Sequence, residues 1–248
     1  MKQFCITPAM GKRLIGKAMA VHPDIQTVLQ QGTLAIIAGT TNGYVAEEIL
    51  TRLGQAEGFT RVGFRRGYTA APGVEAIRAE FTGDVIIVNG QWQRGKTIDQ
   101  VADTLRTGDI ILKGANAFDT RGQAAVQIGH PQGGTILIAM QAVVGRRVRL
   151  IVPVGLEKRV NEEIDTLVRL CNAPGSHGPR LMHLVGGELF TEIDALRLLT
   201  GVEAHLLAAG GIYGAEGAAW LGVWGSPEQE EAAAALIDSL AGEPPCRV

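Results

Sequence analysis

The stretch LAIIAGTTNGYVAEEIL, residues 34 to 50, decides the fold. Leu34 to Ala38 is apolar without alternation, the pattern of a strand covered on both faces. Gly39-Thr40-Thr41-Asn42-Gly43 is almost all backbone, hydroxyl and amide. From Tyr44 onward the pattern is helical, with Val45, Ile49 and Leu53 on one face and Gly54 as the stop. A strand that passes through a glycine loop into a helix is the building unit of a parallel sheet.

The rest of the chain repeats this unit. Short apolar runs predict strands at Leu34–Ala38, Asp84–Val88, Asp109–Leu112, Arg149–Val154, Leu181–Val185, His205–Ala209 and Trp220–Val223. Helical spacing predicts helices at Val45–Leu53, Thr97–Leu105, Asn161–Leu170, Leu189–Leu199 and Pro227–Leu240, the last with Glu228, Glu230 and Glu231 early, where the dipole favours them. Thr135 to Val144 reads as a buried helix, although its apolar content also fits a strand. The alternation predicts an α/β fold, three-layer and Rossmann-like, with a mainly parallel sheet and helices on both faces. One domain spans residues 1–248. Within it, 1–32 is expected to be a helical N-terminal segment and 175–248 a C-terminal α/β extension. Pro174, Gly175, Gly178 and Pro179 mark 171–180 as an exposed loop.

Composition excludes several classes. The 248 residues are 46% hydrophobic and carry a net charge of -2, so the basic footprint of a nucleic-acid binder is missing. The three cysteines, Cys5, Cys171 and Cys246, lie far apart and form no C-x-x-C pair, so neither a disulfide framework nor a metal site is implied. No apolar run reaches the ~20 residues of a membrane span. The first 24 residues lack the continuous apolar core of a signal peptide. A cytoplasmic protein without membrane or nucleic-acid partners is expected.

The 33 glycines concentrate at strand ends. Ligands of parallel sheets bind at the carboxyl ends of strands. Gly39, Thr40, Thr41, Asn42 and Gly43 would there offer free N–H groups and hydroxyls to an anion, favoured by the helix dipole. The alternative is a tight, capped turn; the segment is neither a P-loop nor G-x-G-x-x-G. A second glycine-rich segment, ILKGANAFDTRGQAAVQIGHPQGGTILIAM (111–140), adds Gly114 and Asn116 after a strand, and His130, Gly133, Gly134 and Thr135 before a helix. A small phosphorylated or carboxylated metabolite between the two loops is the expected ligand. The third cluster, 208–225, reads as a glycine-rich hairpin with Glu216 near its tip.

At these residues the chain resembles the superfamily of ribose-5-phosphate isomerase, glucosamine-6-phosphate deaminase, the CoA transferases and the LUD-type proteins. LAIIAGTTNGYVAEEIL is similar to their first strand and phosphate loop, DIILKGANAFDTRG to their later D-G-A-D or G-A-N-A strand end, and VRLIVPVGLEKRV (148–160) to the strand ending in V-G-x-x-K. The resemblance covers about residues 33 to 160. It implies a sugar-phosphate isomerase-like or transferase-like activity, no cofactor, and assembly as a homo-oligomer. Two family carboxylates are replaced by Lys113 and Asn116, and the K-G-G-G loop by Gly129–Gly134. Asp119 matches the last acidic position, so it is the candidate base, or else it caps the turn at Thr120–Gly122. Lys113 is the second candidate catalytic residue, as a point charge for phosphate or an ordinary solvated lysine. Where no chemistry remains, the alternative is a ligand-binding or regulatory protein of the same fold.

Three further groups are ambiguous by sequence. Glu188 and Glu192 would share one helical face, as an acid/base or metal pair or simply as a favourable helix start. Arg65-Arg66 either guides an anion or forms a surface pair. Trp92 covers a pocket or an interface.

Overall fold

The computed structural model describes residues 1–67, 69, 73 and 83–245. The chain opens with strand β1 (Lys2–Ile6) and helices α1 (Pro8–Met19) and α2 (Pro23–Gln30). There follow β2 (Thr33–Ile36), α3 (Thr40–Arg52), β3 (Val85–Val88), β4 (Gln91–Trp92), α4 (Ile98–Val101) and β5 (Ile110–Leu112). The middle continues through β6 (Ala117–Phe118), β7 (Ala124–Ile128), α5 (Gly134–Arg146), β8 (Arg149–Pro153) and α6 (Ile164–Cys171). The last part is β9 (Arg180–His183), β10 (Gly187–Phe190), α7 (Glu192–Thr200), β11 (Glu203–Ala209), β12 (Ala219–Trp224) and α8 (Pro227–Asp238).

These strands form a mixed α/β structure whose largest sheet has six strands in the order β10-β8-β5-β2-β3-β4. β2, β5, β8 and β10 run parallel, and β3 and β4 add an antiparallel edge. The order turns at β2: the chain steps to β3 and β4 on one flank, then returns to β5 on the other. The register aligns the carboxyl ends, with Ile36 opposite Leu112 and Leu112 opposite Ile151. The apolar runs read from sequence are buried as expected; Leu34, Ala35, Ile36, Ile37, Ile86, Ile87, Ile111, Leu112, Leu150 and Val152 are all closed to solvent.

The remaining strands lie in two antiparallel sheets, β1-β12-β11 and β6-β7-β9. Four expectations are corrected here. The segment 1–32 is not wholly helical, because Lys2–Ile6 pairs with β12, Lys2 opposite Val223 and Ile6 opposite Ala219. The strand expected at 181–185 is β9, and it pairs with β7 rather than with the parallel sheet. The helix expected at 189–199 starts at Glu192, since Gly187–Phe190 is a strand paired with β8. The helix expected at 97–105 is one α-turn followed by a 3-10 turn. The hairpin at 208–225 and the exposed loop at 171–180 are as read.

α1 is tied closely to α3. At Gly16 a Cβ would lie 2.9 Å from the Tyr44 carbonyl oxygen, so only glycine permits this approach. Arg13 on α1 binds Glu47 at 2.6 Å, Glu48 at 2.8 Å and Glu243 at 2.9 Å, and Arg61 binds Glu47 and Glu243, each at 3.0 Å. Both guanidinium groups lie against the Tyr44 ring. This network fixes the chain near residue 243 against the middle of α3. Among the described residues no helix is long and apolar enough to cross a membrane.

Candidate functional site

The loop after β2 is the start of α3. Gly39 is the N-cap, with an extended backbone and no capping side chain, and Gly43 N–H already closes the first turn onto the Gly39 carbonyl at 2.8 Å. The N–H groups of Thr40, Thr41 and Asn42 therefore precede the intrahelical ladder, at the positive end of a 13-residue helix. A Cβ at Gly39 would meet nothing within 4 Å, so the space before the helix is open. Gly43 has a different purpose. A Cβ there would sit 3.0 Å from Arg61 Cβ, so it serves packing rather than ligand approach.

Asn42 connects this loop to the next strand. Its fully buried side chain donates to the Ile37 carbonyl at 2.7 Å and the Leu112 carbonyl at 3.0 Å, stitching together the ends of β2 and β5. Its Oδ1 and the buried Oγ1 of Thr41 have no hydrogen-bond partner among the described residues. Buried polar atoms are rarely left so, and each exception calls for a partner such as a water, an ion or a ligand group.

Beside them, Asp84 precedes β3 with no exposed side-chain surface. It accepts from Ala38 N–H at 2.9 Å, Ile98 N–H at 2.8 Å and Arg66 at 2.6 Å. The Arg65-Arg66 pair is thus not merely a surface feature; Arg66 is anchored to a buried carboxylate. Lys113, at the end of β5, is half-buried and makes only a long 3.4 Å hydrogen bond to the Gly114 carbonyl among the described residues. Burial pushes its ammonium down to about 8; Lys158 and Arg66 add to this and Asp84 opposes it.

Lys158 links this half of the edge to a second cluster, over β8 and β10. Its amine has no hydrogen bond or ion pair among the described residues, and burial lowers its pKa, with Glu157 and Glu192 pulling the other way. Glu192, the first residue of α7, is 3% exposed and accepts from Leu156 N–H at 3.0 Å. Burial, then the charge of Glu157, raises it to about 8. Glu157 pairs with Lys12 at 3.4 Å. A Cβ at Gly11 would overlap Glu192 Oε1, so glycine on α1 makes room for this carboxyl. At neutral pH Glu192 keeps its proton.

Several candidates from the sequence are carried elsewhere. Asp119 is buried in the turn after β6, where it accepts from Arg121 N–H at 2.9 Å, Gln123 N–H at 3.0 Å and Ile164 N–H at 3.0 Å. Those bonds hold its pKa below the usual carboxylate value against burial. Both of its oxygens are engaged by backbone N–H groups, the arrangement of a turn cap. Asn116 lies in the same hairpin, its Oδ1 taken by Gln127 N–H at 2.9 Å. His130 is exposed, and its Nδ1 accepts from Gln132 N–H at 3.2 Å. Gly133 and Gly134 take positive φ at the start of α5, followed by half-buried Thr135. Among the described residues no hydrogen bond joins this turn to Gly39–Gly43. Gly39, Thr40, Thr41, Asn42, Lys113 and Gly114 are therefore brought together, while Asn116 and Asp119 depart with the hairpin.

Glu188 and Glu192 do not share a helix. Glu188 is in β10 and binds Arg149 at 2.7 Å, and Glu216 only caps Gly214 N–H at 2.9 Å. Trp92 is covered by Phe59 and by Arg94, whose guanidinium lies 4.1 Å from the ring centroid. Cys5 and Cys171 are free thiols, and Cys246 lies outside the described residues. The described residues contain no group of three or more His, Cys, Asp or Glu able to hold a metal. A cavity of about 220 Å³ is lined by Leu29, Ile49, Arg52 and Leu53, at the opposite end of α3 from Gly39. Gln26 and Gln30 also line it, the Gln26 amide being bound to the Ala20 carbonyl at 2.8 Å, but the unpartnered buried oxygens of Thr41 and Asn42 lie at the sheet edge, which is the better candidate site.

Sequence reading missed Asp84, Lys12 and Glu157. Asp84 had a signal in its position, directly flanking the apolar strand β3, whereas Lys12 lies within α1 and Glu157 in the turn after β8, and which of these meet is not a local property. In comparisons with protein-family models, curated proteins and solved structures, the chain matches none.

Proposed function

We propose that the chain binds a small phosphorylated or carboxylated metabolite over the ends of β2 and β5 and acts on it as an isomerase- or transferase-like enzyme. One observation carries this reading: the uncapped start of α3 shares a sheet edge with two half-buried lysines, Lys113 and Lys158, that have no ion-pair partner among the described residues. Oriented N–H groups and unpaired cations together favour an anion. Lys113, brought to about 8, supplies a group that exchanges protons near neutral pH; Glu192, brought to the same range, lies in the neighbouring cluster over β8 and β10. The motifs at 34–50, 109–122 and 148–160 carry the wider reading: by that resemblance the chain would belong to the ribose-5-phosphate isomerase/CoA-transferase-like superfamily, with a three-layer Rossmann-like arrangement, a cytoplasmic location and homo-oligomeric assembly.

The test uses the open space at Gly39. Its extended backbone suits any residue, so Gly39→Val adds bulk before the helix without strain. Sugar phosphates should raise the melting temperature of the wild type but not of Gly39→Val, whose unliganded melting temperature stays within about 2 °C. Equal ligand shifts in both proteins would remove the loop from the site. One observation favours a binding protein without turnover: Asp119 is committed to structure, and Lys113 and Asn116 stand at two of the family's acidic positions. Ligand stabilisation with no product in the wild type would establish that second reading.

A further inference from the structure

We infer that Lys113 is a covalent nucleophile, whose amine condenses with an aldehyde or keto carbon of the anionic ligand to form an imine. The inference deepens the anion-binding reading and rests on it for the ligand's other end.

The lysines of this chain are not alike. Lys2 pairs with Glu231, Lys12 with Glu157 and Lys17 with Glu48. Lys113 and Lys158 form no ion pair among the described residues, and of the two only Lys113 directly ends a strand, β5, beside the start of α3. The carboxylate that faces it, Asp84, is already saturated by two backbone N–H groups and Arg66. The other charges facing it are Lys158 from the segment after β8 and Arg66, both positive. A half-buried amine among cations, without a carboxylate of its own, is the arrangement that enlarges the neutral, nucleophilic fraction of a lysine while the rest stays charged. It stands at the carboxyl end of a central parallel strand. The next residue, Gly114, leaves room: a Cβ there would meet only Pro153 O, at 3.7 Å.

The step balances without a co-reactant. The neutral amine's lone pair attacks the carbonyl carbon, and the C=O π pair moves to oxygen. The nitrogen's two protons then leave with that oxygen as water, and the C=N bond remains. Hydrolysis reverses it. Once protonated, the imine withdraws electrons and acidifies the neighbouring C–H, an activating role distinct from that of a base, which would still have to accept the proton. The ligand class follows: a small aldehyde or ketone carrying a phosphate or carboxylate, its anion at the start of α3 and its carbonyl at Lys113.

The test is reductive trapping on the full chain with glyceraldehyde 3-phosphate and sodium cyanoborohydride, read by peptide mass spectrometry. Exposed Lys96 is the internal control. At pH 7.5 an amine with a pKa of about 8 is about one quarter neutral, against about one thousandth at 10.5. Lower basicity costs some nucleophilicity, so Lys113 should be modified at least about tenfold faster than Lys96. Lys113→Arg, which keeps the charge, should lose this adduct and still be stabilised by inorganic phosphate. Modification of Lys113 no faster than Lys96 in the folded wild type overturns the inference, and the anion site survives that result if phosphate stabilises the wild type but not Gly39→Val. Equal preference for Lys113 with acetaldehyde, and no stabilisation by phosphate, upholds the nucleophile and removes the anion site.

Discussion

Glu192→Gln should stabilise the protein at neutral and alkaline pH, and its pH dependence reports the state of the buried carboxyl. The carboxyl ionises near 4.5 in the unfolded chain and near 8 when folded. Between these values the unfolded state binds fewer protons, so the wild type loses stability as pH rises from about 4.5 to about 8, and the loss levels off above that. At pH 7 the penalty is about 1.36 × 2.5, roughly 3 kcal/mol as an upper bound, from the same shift. Glutamine is isosteric, its carbonyl can keep the 3.0 Å bond from Leu156 N–H, and its amide can face Glu157. Urea unfolding of both proteins at pH 5 and pH 8.5 should show near-equal stability at the lower pH. At the higher pH the variant should be on the order of 1–3 kcal/mol more stable. A variant less stable by the same amount at both pH values would refute the argument, for it would mean that Glu192 is ionised and held by Lys12 or Lys158.

Asp119→Ala should cost on the order of 3 kcal/mol in urea unfolding at pH 7, because three backbone N–H groups lose a charged acceptor. Asp119 has a folded pKa below its unfolded 3.8, so the carboxylate's contribution is present above about pH 4 and fades on acidification; the deficit of the variant should shrink there. Turnover per folded molecule should be unchanged, and a specific loss of activity would restore it as a base. Gly16→Val should destabilise by about 1–3 kcal/mol through overpacking of α1 against the Tyr44 carbonyl, seen as a lower melting temperature; an unchanged value would show that the helices are free to separate.

Local pattern determined much of this protein. The unbroken apolar runs at 34–38 and 149–154 predict strands buried on both faces, and the 3.6-residue spacing after Tyr44 predicts α3, because those periods depend on the chain's own geometry. The glycine loop at 39–43 and the lysine that follows IIL at 110–112 were legible for the same reason. Tertiary structure decided the rest. Gly187–Phe190 is a strand because β8 offers it an edge, and Leu181 belongs to another sheet because β7 does. Asp119, which matches an acidic motif position, became a turn cap once Ile164 N–H folded back onto it. Glu192 and Lys113 carry ordinary side chains whose proton affinities were set by burial and by neighbours from distant segments. Strand pairing and desolvation are non-local. A sequence names the charged residues at its strand ends, and only the fold determines which of them face one another.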